Sequence, residues 1–139
     1  MNALEEGTQP TLDFGKLASI ADTGQAVVPV VLQHAETGEV LYIAYANEQA
    51  LLETRKRGEA VLWSTSRNEL WHKGATSGDV LDVVEVRTNC EQNSLLYRVR
   101  PRGGVCHTKD GEGRTRRTCY YRRFNDSGEA LEFVTPPPR

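Results

Sequence analysis

The chain has 139 residues, with 17 Lys+Arg against 19 Asp+Glu and a formal net charge of -2. That length suits one domain spanning 1–139, and the charge balance excludes a bulk-charge nucleic-acid binder. No apolar run approaches the roughly 18 residues that cross a bilayer, and the N-terminus lacks the basic-then-apolar pattern of a secretion signal, so no membrane partner and a cytoplasmic location are expected.

Residues 1–11 and 134–139 read as flexible tails, and they hold part of the deficit in a low 38% hydrophobic content. "AVVPVVLQ" (26–33) and "EVLYIAYA" (39–46) are rich in β-branched and aromatic residues, and the Thr-Gly between them is a turn signal, which predicts a β-hairpin. "NEQALLETRKRG" (47–58) follows. Asn47 is placed to cap it, Glu48 lies in its first turn and basic residues precede Gly58, so one short helix is expected, with Ala50 and Leu51 toward the sheet. Four further runs read as strands: "AVLWSTS" (60–66), "VLDVVEVRT" (80–88), "SLLYRVR" (94–100) and "RTCYYRRF" (117–124). The expected fold is therefore mainly β within the α+β class: a single small domain with a mixed or antiparallel sheet, or a partly closed barrel, and one short helix. Two long loops, 67–79 and 101–116, hold most of the chemically interesting residues, as long loops in small domains tend to.

Three cysteines, an odd number, argue against a disulfide framework. Cys90, Cys106 and Cys119 are widely spaced and lack the paired C-x-x-C pattern of a zinc ribbon, so burial as small hydrophobes is one reading. The other is a catalytic zinc site, because three thiolates leave an open fourth position for water. "GGVCHT" favours the second, since Cys106 and His107 lie in a polar, glycine-rich loop. His107 is assigned general acid/base work rather than ligation, because adjacent side chains of an extended loop rarely both reach one ion.

If "RTNCEQNSLL" (87–96) continues as a strand, Asn89, Glu91 and Asn93 share one face and Cys90 lies on the other. Such a trio suits a hard cation such as Mg²⁺, but a single carboxylate makes a poor site, and a solvated strand end remains the alternative. In "STSRNELWHKGATSG", Trp71 can stack on a planar base and Lys73 can pair with a phosphate. Gly74, Ser77 and Gly78 can offer backbone amides to an anion, and Ser64, Ser66 and Arg67 lie just upstream. This reads as a nucleotide-phosphate pocket.

Taken together, "GEVLYIAYANEQAL", "LWSTSRNELWHKGATSGDV", the Cys90 segment, "GVCHT" and "CYYR" resemble the phosphoribosyl-AMP cyclohydrolases of histidine biosynthesis, over roughly residues 26–122. The resemblance implies hydrolysis of the N1–C6 bond of the adenine ring in N1-(phosphoribosyl)-AMP, giving the formimino-carboxamide ribonucleotide. It implies zinc held by Cys90, Cys106 and Cys119, an acid/base role for His107, and substrate contacts at Trp71, Lys73, Gly74, Ser77 and Gly78. It also implies an intertwined homodimer whose zinc sites draw cysteines from both subunits, with a phosphorylated purine nucleotide as the substrate.

Two departures stand out. The family's Asp-Cys-Asp-x-Asp segment, which holds Mg²⁺, is here Asn89, Glu91 and Asn93, so magnesium affinity is expected to fall sharply. The segment between Cys106 and Cys119 is longer than the family's and carries Lys109, Arg114, Arg116 and Arg117. Arg114 and Arg116 are therefore expected to neutralise phosphate in place of the metal. The alternatives are a paralogue acting on a related purine nucleotide and a zinc-stapled dimer without turnover.

Overall fold

The computed structural model describes residues 2–135; Met1 and residues 136–139, part of the expected tails, lie outside the described residues. Two helices, α1 (Ala3–Glu6) and α2 (Lys16–Asp22), precede the expected hairpin, which forms from β1 (Val28–His34) and β2 (Val40–Ala46). Next comes α3 (Glu48–Arg57), capped as its sequence dictates. Asn47 Oδ1 accepts from the Ala50 amide at 2.8 Å, and Gly58 ends the helix in the left-handed region at φ 69°.

Beyond α3 lie β3 (Val61–Ser64), β4 (Glu69–His72), β5 (Leu81–Thr88), β6 (Leu95–Pro101), β7 (Arg122–Phe124) and β8 (Leu131–Phe133). The main sheet has the order β2-β1-β6-β5. β1 runs parallel to β6 and antiparallel to β2, and β5 and β6 form an antiparallel hairpin, so the sheet is mixed. It is also open: β2 and β5 are its edges, which corrects the expectation of a partly closed barrel. β3–β4 and β7–β8 form separate two-stranded sheets.

Strand alternation puts Val30 and Leu32 of β1, Leu41 of β2, and Tyr97 and Val99 of β6 into the core, each at most 1% exposed. α3 covers this core with Ala50 and is bolted to β3 by a buried threonine. The Thr54 hydroxyl donates to the Val61 carbonyl and accepts from the Val61 amide, both at 2.9 Å.

Four expectations need correction. Among the described residues there are three helices rather than one; α1 falls within the stretch read as a tail, and α2 lies just beyond it. The loop expected over 67–79 contains β4, which folds back on β3. The strand expected over 117–124 is reduced to 122–124, because residues 118 and 119 bond to the end of β2: Thr118 Oγ1 donates to the Val40 carbonyl, and the Cys119 amide to that of Leu41. Residues 89–94 are the turn between β5 and β6, so alternation does not sort Cys90 and the polar trio onto opposite faces.

Candidate active site

β2, the β3–β4 hairpin and the segment carrying Val105, His107 and Cys119 enclose a cleft of about 510 Å³. Ser64, Ser66, Arg67, Trp71, Lys73, His107 and Cys119 all line it, so seven of the residues singled out in the sequence meet in one place. The hairpin is what gathers five of them. Ser64 ends β3, its hydroxyl accepts from the Arg67 amide at 3.2 Å and lies 3.3 Å from that of Ser66, and Asn68 takes the left-handed conformation at φ 56° to bring in β4. The Arg67 side chain is 76% exposed and has only a loose contact with Glu69 at 3.8 Å, leaving a cation at the mouth.

Deeper in, the Lys73 ammonium sits 5.5 Å from the centroid of the Trp71 ring. Burial holds the Lys73 pKa below the usual lysine range, against the opposing pull of Asp79, Cys119 and Cys106. A half-buried ammonium with sparse pairing is suited to an incoming anion.

The neighbouring Cys119 thiol holds the Cys106 pKa below the usual thiol range, and the Thr108 hydroxyl, 3.1 Å from Cys106 Sγ, reinforces the effect. Cys119 is correspondingly raised, by the neighbouring Cys106 and by burial. Two adjacent sulfurs, one held toward thiolate, are a donor set that fits a soft ion such as Zn²⁺. Cys90 stands exposed in the β5–β6 turn, and among the described residues no three His, Cys, Asp or Glu side chains are grouped to hold a metal. One chain therefore brings together two of the three thiols.

The polar trio does not fit magnesium. Asn89 Oδ1 accepts from the amides of Asn93 and Ser94 at 3.0 and 2.9 Å, and Asn89 Nδ2 donates to Asn93 Oδ1 at 2.6 Å. Glu91 Oε2 takes a longer hydrogen bond from Asn93 Nδ2 at 3.4 Å. These oxygens close a turn, and only one carboxylate is present for a hard divalent ion.

Gly74, Ser77 and Gly78 are absent from the cleft wall, and the Gly78 and Asp79 amides of their loop are spent internally. Gly78 N donates to the Gly74 carbonyl at 2.8 Å and Asp79 N to Ser77 Oγ at 3.2 Å. Gly74 is required on steric grounds: its φ is +82°, and a Cβ there would lie 2.2 Å from the Asp79 backbone. Arg114 pairs with Glu112 at 2.8 Å, while Arg116 holds Glu6 with two bonds of 2.7 and 2.8 Å and stacks 4.0 Å over Tyr121. Arg116 faces a separate cleft of about 270 Å³, lined in part by Tyr120, Tyr121 and Phe133, rather than the one containing His107.

Neighbours not singled out in the sequence include Tyr42 and Glu5. Tyr42 lines the cleft with a buried hydroxyl that has no hydrogen-bond partner among the described residues, and burial pushes its pKa up. Nothing in the local pattern separates it from an ordinary core tyrosine. Glu5 bonds to the His107 imidazole. Its signal was present, because Asn2 followed three positions later by Glu5 has the spacing of a helix-capping pair.

A small α+β scaffold with neighbouring thiols, an imidazole and a cation-lined cleft is an arrangement suited to a nucleotide-handling hydrolase. The family model for phosphoribosyl-AMP cyclohydrolase matches residues 42–121. A phosphoribosyl-AMP cyclohydrolase of Bordetella parapertussis is 38% identical over 132 residues, covering 94% of this chain and 91% of that protein. One from Archaeoglobus fulgidus is 46% identical over 100 residues, 72% of this chain and 87% of the relative. The histidine biosynthesis bifunctional protein HisIE of Thermus thermophilus is 44% identical over 118 residues, 85% of this chain; the match spans about half, 52%, of that longer protein. The chain belongs to the phosphoribosyl-AMP cyclohydrolase family.

Proposed function

We propose that the chain opens the purine ring of N1-(phosphoribosyl)-AMP by hydrolysis of the N1–C6 bond, within histidine biosynthesis. The observation that carries this reading is the cleft that gathers an aromatic platform, three cations (Lys16, Arg67 and Lys73), an imidazole and the Cys119 thiol. Trp71 stacks on the purine, while Lys73 and Arg67, assisted by the Ser64 and Ser66 hydroxyls, take the phosphates. His107 accepts the proton that the attacking water loses and returns it to N1 as the N1–C6 bond breaks. The water oxygen ends on C6. Zinc, held by Cys106 and Cys119 of one chain and Cys90 of a second, supplies when bound a Lewis acid that lowers the pKa of water at the site.

That ligand set makes the working form a homodimer, since an exposed Cys90 in one chain's turn can complete the thiol pair of the other. Arg114 and Arg116 are left out of the substrate contacts because carboxylates within the chain already engage both. Magnesium is left out because the 89–93 turn offers it so little, and the cytoplasm is the proposed compartment.

Direct assay of ring opening by purified protein tests the reading, with and without added Mg²⁺. Product formed equally in both supports it. No product in either, alongside hydrolysis of another purine nucleotide, replaces it with the paralogue reading.

A further inference from the structure

His107 does not stand alone on the cleft wall. Its side chain is 78% exposed, and its Nε2 bonds to Oε2 of Glu5, a residue 102 positions earlier. The other carboxylate oxygen, Glu5 Oε1, accepts from Asn2 Nδ2 at 3.2 Å. Asn2 is itself fixed, because its Oδ1 accepts from the Leu4 and Glu5 amides at 2.9 and 3.4 Å as the cap of α1. Both oxygens of the carboxylate are thus engaged, one by the cap and one by the imidazole.

A four-residue helix has no stability of its own, so something else must hold α1. The C-terminal third of the chain does so. The Tyr121 hydroxyl donates to the Glu5 carbonyl at 2.7 Å, Arg122 donates to the carbonyls of Leu4 and Gly7 at 2.8 and 2.9 Å, and the Leu131 amide donates to that of Thr8 at 2.7 Å. Arg116 clamps Glu6 beside them. An ordinary surface ion pair lacks such scaffolding and fixes nothing. Here the backbone of Glu5 itself is pinned.

An exposed imidazole has two tautomers and turns readily about its side-chain bonds. A carboxylate fixed at Nε2 selects one arrangement, with Nε2–H donated to the carboxylate and the lone pair left on Nδ1. We propose that α1 is an orienting strap and that Glu5 is a positioning residue, holding His107 in the tautomer whose Nδ1 exchanges protons with the substrate. This rests on the acid/base assignment of His107 above.

Glu5→Ala is expected to lower kcat about 10–100-fold while KM stays within about twofold. Glu5→Gln, whose amide oxygen still accepts from Nε2–H, recovers most of that loss. The imidazole ¹⁵N spectrum, with His107 assigned by its disappearance in His107→Ala, shows a protonated Nε2 and a bare Nδ1 in the wild type and an averaged pair in Glu5→Ala. The proposal is overturned by an unchanged tautomer in Glu5→Ala, by an unchanged kcat, or by KM rising in step with a falling Tm, which marks a strap that only stabilises. If the wild type opens no ring, the proposed function fails instead, and the ¹⁵N spectrum still decides the role of Glu5.

Discussion

Replacing Thr54 by valine keeps the shape of a buried side chain and deletes its hydroxyl. The register shows what that hydroxyl serves. Lys73 N bonds the Ala60 carbonyl at 3.2 Å, so the next pair along the ladder, Val61 with His72, is a non-hydrogen-bonded one whose polar groups point away from β4. Thr54 Oγ1 meets both the N–H and the C=O of Val61 at 2.9 Å, and Thr54 is only 1% exposed. Removing it strands a buried donor and a buried acceptor. At about 1–3 kcal/mol each, partly offset by the added methyl group, the net loss is about 2–4 kcal/mol. At about 3 °C per kcal/mol for a chain of this length, Tm falls by about 6–12 °C. Thr54→Ser keeps the hydroxyl and loses one methyl, so it costs about 1 kcal/mol. Thermal melts followed by circular dichroism read both. A Thr54→Val melt within about 2 °C of the wild type, or a serine variant as damaged as the valine one, would refute this account of how α3 is fastened to the hairpin that carries Ser64, Trp71 and Lys73.

Trp71→Ala removes the stacking platform and is expected to raise KM about 10-fold, consistent with about 1–3 kcal/mol per stacked base; steady-state kinetics showing no change would remove Trp71 from the site. Gly74→Ala drives a Cβ into the Asp79 backbone at a φ of +82°, so a loss of about 2 kcal/mol or more is expected in denaturant titration, and a neutral result would mean the loop is more pliant than its geometry. Cys90→Ser should lose zinc by elemental analysis, and so should Cys119→Ser. When the two are mixed and refolded together, heterodimers carry one intact ligand set built from both chains, so activity returns to at most about half the wild-type level per dimer. No return at any ratio argues against a site shared between copies.

The parts of the fold legible in the sequence are those fixed by local chemistry. The β1–β2 hairpin follows from β-branched runs around a Thr-Gly turn, and α3 from Asn47 at one end and Gly58 at the other. The parallel pairing of β1 with β6 is not local: it joins Val30 to Leu95 across α3 and four strands, and no spacing rule announces it. β4 escaped notice because "ELWH" is four residues long and flanked by turn residues. At the site, residue types that bring their own chemistry stand out in the sequence, and Trp71, Lys73, His107 and Cys119 of that kind line one cleft. What was not readable is occupancy. Arg114 and Arg116 looked available as charges in a loop, and only the folded chain shows each facing a carboxylate. The 89–93 trio was likewise read with the period of a strand where the chain makes a turn.

The strap gives the order of synthesis a bearing on activity. Residues 2–8 are made more than 100 residues before their partners His107, Arg116, Tyr121, Arg122 and Leu131. A nascent chain can form the β1–β2 hairpin and α3 early, while α1 has nothing to dock against until that later segment emerges. The imidazole is therefore set in place only when both ends of the described chain meet. Truncation of the last strands should slow the chemistry through Glu5, to the extent expected of Glu5→Ala, before it touches any residue of the cleft.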